Sequence, residues 1–155
     1  MKKAIILSFV AIITVVLCMT SFLISRERER VLASIPPYKE TLDENLLFDL
    51  SQKYRIDNGL PIYEKSDFLC SIALSRLPEI REKFSHELFF YHSQNGDYCR
   101  GCTLGENIAV GVLTEEETMQ KWIASPSHKE NLDKPFTHSC TKTYLHYAVQ
   151  IFGYF

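Results

Sequence analysis

The sequence predicts an α+β domain carried behind an N-terminal apolar segment, and three observations lead there. Residues 4–24 hold no charged side chain. Two capping-box signatures open helically spaced apolar runs in the first and middle parts of the remaining chain. The C-terminal stretch turns rich in β-branched and aromatic residues. Helices first and strands last fit an α+β chain better than alternating βαβ units.

The apolar run comes first. At about 1.5 Å rise per residue, Ala4 to Ile24 would cover roughly 30 Å, the thickness of a bilayer's hydrocarbon core. It ends in the charged hexad Ser25-Arg26-Glu27-Arg28-Glu29-Arg30 rather than in a small-residue cleavage site. Residues 1–30 are therefore read as an uncleaved signal anchor forming a transmembrane helix with its charged flank; cleavage would instead release a secreted domain. Leu17 before Cys18 is bulky where a lipidation site needs a small residue, which argues against a lipoprotein. Lys2 and Lys3 precede the span and three arginines follow it, so the positive-inside count does not by itself place the C-terminus outside. Residues 31–39 read as a linker, because Pro36-Pro37 forces extended backbone and stops any helix leaving the membrane.

The remaining residues, 40–155, form one domain. A composition of 46% hydrophobic and 23% charged residues is that of a globular protein and excludes a disordered one. A net charge of -2 with both signs interspersed gives no footprint for nucleic acid.

Thr41 with Glu44 predicts a capped helix over 42–57, carrying Leu46, Leu47, Leu50 and Tyr54 on one face until Gly59 and Pro61 stop it. Ser66 caps a second helix with Phe68, Leu69, Ile72, Ala73 and Leu77 on its apolar face, ending or kinking at Pro78, with a short extra turn to Phe84. Thr114 with Glu117 opens a third, running to about Ala124 before Pro126 and carrying the single tryptophan, Trp122. Residues 115–117, three glutamates, read as a solvated first turn that complements the helix dipole. Thr137 to Thr141 and Tyr144 to Tyr154 read as an antiparallel hairpin.

Five short motifs fall in register along this domain: Asn58-Gly59-Leu60-Pro61, Phe84-Ser85-His86, Gly105-Glu106-Asn107, Trp122-Ile123-Ala124-Ser125-Pro126-Ser127-His128 and Gln150-Ile151-Phe152-Gly153. In this order and spacing they resemble the CAP superfamily (cysteine-rich secretory, antigen 5 and pathogenesis-related 1 proteins), in its bacterial-type, SCP-like branch. The resemblance implies a three-layer α-β-α sandwich with a central antiparallel sheet and a cleft lined by histidine and glutamate. The cleft histidine falls on His86, the G-E-N glutamate on Glu106 and the S-P-x-H histidine on His128. A second glutamate of the eukaryotic members falls on Ser125, so their full tetrad is not repeated here.

Two imidazoles and a carboxylate make a ligand set for Zn2+ or another divalent cation, with a position left open. Without metal, a glutamate beside a histidine raises its basicity and gives acid–base capability. The same three side chains also serve as a structural network that satisfies the loop's own polar groups. All three readings stand at this stage. No serine lies in a G-x-S-x-G elbow, and His86-Glu87 lacks the histidine at 90 that a zinc-protease helix needs.

Past the anchor the chain has four cysteines: Cys70, Cys99, Cys102 and Cys140. An even number suits two disulfides in an oxidising compartment, Cys99 with Cys102 as a loop clip and Cys70 with Cys140 as a helix-to-strand staple. Cys99-Arg100-Gly101-Cys102 is also the spacing of thiol-exchange proteins, although no thioredoxin-like βαβ setting surrounds it. The cysteines and the resemblance together place the domain outside the cytoplasm. The expected function is a membrane-anchored, extracytoplasmic, non-catalytic module binding a lipid, an envelope component or a protein. A His/Glu hydrolase and a thiol-exchange protein are the alternatives.

Overall fold

The computed structural model describes residues 19–27, 29–30, 41–112 and 114–154. The chain divides into two compact units, Met1–Tyr38 and Lys39–Phe155. In the first, residues 19–27 are helical. Residues 4–18 of the expected span and the linker residues 31–39 lie outside the described residues, and among the described residues no helix is long and apolar enough to cross a membrane.

The second unit runs α1 (Glu44–Asp57), β1 (Glu64–Lys65), α2 (Asp67–Glu82), α3 (Glu87–Asn95), β2 (Thr103–Val110), α4 (Glu115–Ala124), α5 (Pro126–Asp133), β3 (His138–Tyr144) and β4 (Tyr147–Tyr154). The sheet order is β1-β3-β4-β2. β2 and β3 both pair antiparallel with β4, but β1 pairs parallel with β3 through Glu64↔His138 and Lys65↔Ser139. The sheet is therefore mixed, not antiparallel. A segment that leaves α1 and re-enters α2 within nine residues meets β3 in passing, and two residues suffice for that pairing.

Strand alternation splits the core into two layers. Ala148 and Phe152 of β4 pack with Leu47, Phe48, Trp122 and Leu132 from α1, α4 and α5. Val149 and Ile151 point the other way, to Leu69, Ile72, Ala73, Leu77 and Phe89 from α2 and α3. This is the α-β-α sandwich. Trp122 belongs to its core and donates its indole N–H to the Ile108 carbonyl at 3.1 Å.

Capping follows the expected chemistry with one shift. Thr114 Oγ1 accepts from the Glu117 N–H at 3.1 Å, and Ser66 Oγ from Leu69. On α1 the cap is Asp43 rather than Thr41: its carboxylate accepts from Asn45 and Leu46. Glu115 is not a solvated charge. It is buried and accepts from the Asp43 N–H, so that it joins the starts of α1 and α4. The hairpin forms, with Leu145 at φ 52 in its turn.

Candidate functional site

β2 is an edge strand, so the two helical layers meet beside it with no further strand between them. Its alternation sends Glu106 toward α2 and Asn107 toward α5. The cleft forms where these two sides come together.

On the first side, Glu106 is almost wholly buried yet ionisable, which demands a partner. Arg76, in the middle of α2 and itself buried, supplies one: its Nε donates to Glu106 Oε1 at 2.6 Å and a terminal nitrogen to Oε2 at 3.3 Å. The same guanidinium pairs with Glu79 one turn on, and donates to the Ser85 carbonyl at 2.9 Å. Burial works against the arginine's charge, but Glu106 and Glu79 outweigh it and hold the guanidinium charged. By anchoring the Ser85 carbonyl, Arg76 also fixes the residue before His86.

His86 stands at the N-cap of α3, where its side chain makes no capping bond. Its Nδ1 lies 2.7 Å from Glu106 Oε2, so the carboxylate sets the tautomer and turns the ring. The imidazole is 34% exposed while the Glu106 side chain is 1% exposed. The second nitrogen of His86 is thus the one available to a ligand.

From the other side, α5 begins with Pro126 at its first position and brings in His128. The His86 and His128 rings are 5.7 Å apart. The His128 backbone carbonyl accepts from Asn107 Nδ2 at 3.0 Å, and Asn131 donates to the Glu106 carbonyl at 3.0 Å, which ties α5 to the edge strand. His128 Nε2 is buried with no hydrogen-bond partner among the described residues. Burial, then the neighbouring His86, lowers its pKa and so favours the neutral ring.

A cavity of about 270 Å³ opens between these elements. Phe89, Phe90 and Leu104 give it apolar walls; His86, Glu106, Ser127, His128, Glu130, Asn131 and Lys134 give it polar ones. Gly105 belongs to its floor. A Cβ there would meet the Phe136 ring at 3.0 Å and Asn131 Oδ1 at 3.1 Å, which explains why the motif begins with glycine.

The structure therefore brings His86, Glu106 and His128 together but leaves Ser125 aside. Ser125 lines a neighbouring hollow with Trp122 and His128, and its hydroxyl lies 3.5 Å from that of Ser127. Both oxygens of Glu106 are engaged, by Arg76 and His86. Among the described residues no group of three or more His, Cys, Asp or Glu side chains has a metal-holding arrangement. The geometry sets Glu106 behind His86 as its orienting partner and leaves two imidazoles facing the cleft. Arg76 carries no mark in the sequence that would single it out. Its position three residues before Glu79 on α2 gives a helical ion pair, with no signal that it reaches residue 106.

Of the two expected disulfides, Cys70–Cys140 is formed, with its Cα atoms 5.0 Å apart, and joins α2 to β3. Cys99 and Cys102 stand side by side ahead of β2, their Cα atoms 6.0 Å apart. His92, for which the sequence offers no partner, has its Nδ1 2.8 Å from Asp97 Oδ2.

No protein-family model and no curated protein sequence matches the chain. Solved structures do. A cysteine-rich secretory protein from Staphylococcus aureus superposes with a TM-score of 0.59 at 19% identity, over 69% of this chain and 37% of that one. An extracellular protein containing a SCP domain from Bacillus anthracis gives 0.64 at 24%, over 72% and 40%. An outer surface protein from Borrelia burgdorferi gives 0.61 at 22%, over 71% and 90%. The matched region thus spans about two fifths of the first two proteins and nearly all of the third.

Proposed function

Since the folded unit has the fold of these SCP, or CAP, domain proteins, we propose that the chain is a membrane-anchored extracytoplasmic binding module that takes its ligand at the cleft beside β2. The observation that carries this reading is the state of Glu106: buried, neutralised by Arg76 and hydrogen-bonded to His86, it orients a ring. The cleft pairs apolar walls with two imidazoles and the Glu130–Lys134 ion pair at 3.0 Å, which suits a ligand having an apolar body and a polar head, such as a lipid or another envelope component. The extracellular and outer-surface descriptions of the similar proteins and the Cys70–Cys140 disulfide support the location.

His86 and His128 are the residues that would hold a divalent cation, with Glu106 behind His86; bound there, the ion would supply a positive charge to the ligand's head. Two protein ligands make a weak site, open to water or ligand.

The test uses the soluble unit, residues 39–155, with a short-chain anionic phospholipid below its micelle concentration. Saturable shifts of the His86 and His128 ring resonances are expected, lost in His86→Ala. Shifts that grow without saturation, or persist in that variant, reject the cleft as the site. Zinc titrated into His86→Ala and His128→Ala decides the cation: each should weaken binding, and unchanged affinity in both removes it.

One observation favours a second reading, a hydrolase: the Glu106–His86 pair has the arrangement of a carboxylate-oriented general base. Hydrolysis of a peptide or ester library that vanishes in a folded Glu106→Gln variant would establish it and overturn the non-catalytic one.

A further inference from the structure

The segment ahead of β2 carries the Cys99–Cys102 pair, and two chains of contact lead from it to the cleft. The pair is partly exposed and, with Phe68, Arg100, Gly101 and Tyr154, lines an open cavity of about 390 Å³. Cys140 of the Cys70–Cys140 disulfide is fully buried. A thiolate from solvent can therefore approach either sulfur of the partly exposed Cys99–Cys102 pair, but only the partly exposed Cys70 side of the Cys70–Cys140 bond, whose other sulfur lies in the core.

The first chain of contact is ionic. Asp97, two residues before Cys99, holds His92 at 2.8 Å; His92 Nε2 is 3.6 Å from Glu79 Oε1; Glu79 pairs with Arg76; and Arg76 holds Glu106, which holds His86. The second is aromatic. Tyr98, adjacent to Cys99, packs 5.9 Å from Phe89 and 5.4 Å from His92, Phe89 packs edge-on against Phe90 at 5.8 Å, and Phe90 lies 6.2 Å from His86. Both begin within two residues of Cys99 and both end at His86.

We propose that Cys99–Cys102 is a thiol–disulfide exchange site, acting with a small thiol or a dithiol protein, whose redox state is transmitted to the cleft at His86. In the exchange, a partner thiolate attacks one of the two sulfurs and forms a mixed disulfide. The bond between Cys99 and Cys102 breaks, and the other cysteine leaves as a thiolate that takes up a proton. A second partner thiolate then attacks the first partner's sulfur, and the protein cysteine leaves as a thiolate that takes up a proton. The pair gains two electrons and two protons, and the partner ends as its own disulfide. Arg100 puts a cation in the loop that receives the leaving thiolate. The closed and opened rings are the two states. Opening frees the backbone between Gly96 (φ 74) and Gly101 (φ 80), so that Asp97 and Tyr98 are no longer held against α3 and lose their grip on His92 and Phe89.

The experiment takes the full chain in detergent with a chelator present, at fixed pH, through a series of reduced and oxidised glutathione mixtures. Free thiols are alkylated and mapped by mass. Cys99–Cys102 should open at least ~10-fold faster than Cys70–Cys140. In the same samples the His86 ring resonances should shift while those of His138, on β3, stay. Cys99→Ser/Cys102→Ser should show the shifted spectrum without reductant; should that variant not fold, the reductant series on the unaltered chain decides. Equal resistance of both bridges overturns the exchange site, and opening with His86 unmoved overturns the transmission to the cleft.

Discussion

A buried guanidinium can be tolerated only if its donors and its charge are both answered, and Arg76 meets this through Glu106, Glu79 and the Ser85 carbonyl. Removing it leaves Glu106 charged in a site closed to water. Arg76→Met should therefore cost about 3–5 kcal/mol in urea unfolding. Adding Glu106→Gln to it should recover part of that loss, because the orphaned charge is gone; no recovery would show that Arg76 acts only through packing. Arg55 shows the same logic with a different answer. It donates to the carbonyls of Pro61, Leu132 and Lys134 and stacks 4.4 Å from the Tyr63 ring, whose hydroxyl donates to Leu132 as well. Burial pushes the Tyr63 phenol up to about 12, with Arg55 pulling against it. A raised phenol contributes stability that is complete below its unfolded pKa of 10 and is lost as pH climbs through the folded value. The domain should thus lose about 2–3 kcal/mol between pH 10 and 12 through this group. Tyr63→Phe should flatten that part of the profile, and an unchanged slope would assign the alkaline loss to other groups.

At the level of elements, the sequence was clear wherever periodicity and caps agreed and silent elsewhere. α4 could be read from Thr114, Glu117 and its apolar spacing, and it runs as expected to Ala124. α3 could not, since it starts at His86 without a side-chain cap and buries only Phe89; its exposed Leu88, Phe90 and Tyr91 break any apolar stripe. α5 buries only Leu132, so its polar sequence resembles a loop. Pro78 was expected to end or kink α2, yet the helix runs through it to Glu82 and absorbs the extra turn, because Leu77 and Ile80 on either side are anchored in the core. β1 has two residues, too few for any pattern. The G-E-N element is legible for a sharper reason: Gly105 faces Phe136 and Asn131 with no room for a methyl. Gly105→Ala should cost about 1–3 kcal/mol through overpacking. It should also displace Asn131, read as a moved side-chain amide signal; full stability with that signal in place would show that α5 yields without cost.

For the molecule as a whole, the motifs in register named the sandwich and three of the cleft residues, while the partner that holds them in place stayed hidden. His86, Glu106 and His128 come from the start of α3, from β2 and from α5, and only a folded edge strand shows that two of them converge from one side and the third from the other. The sequence could not show this because Arg76 looks like any helix arginine until the sheet is assembled. The Cys70–Cys140 bridge works at this same scale, since it ties α2 to the sheet across 70 residues of chain. Closing a loop of that length restrains the unfolded chain by about 4 kcal/mol in the entropic account. Cys70→Ala/Cys140→Ala should lower stability by about 2–4 kcal/mol. It should also steepen the denaturant dependence, because the unfolded chain then exposes more surface. A matching loss with an unchanged slope would place the effect in the packing around buried Cys140. The residue-76 and residue-140 variants fail in distinguishable ways. Loss of the bridge leaves Glu106 paired, so the His86 ring should keep its native resonance in the folded fraction, whereas loss of Arg76 should move it. If both variants moved it alike, the cleft would depend on the rigidity of the α2 layer and not on the charge that Arg76 delivers.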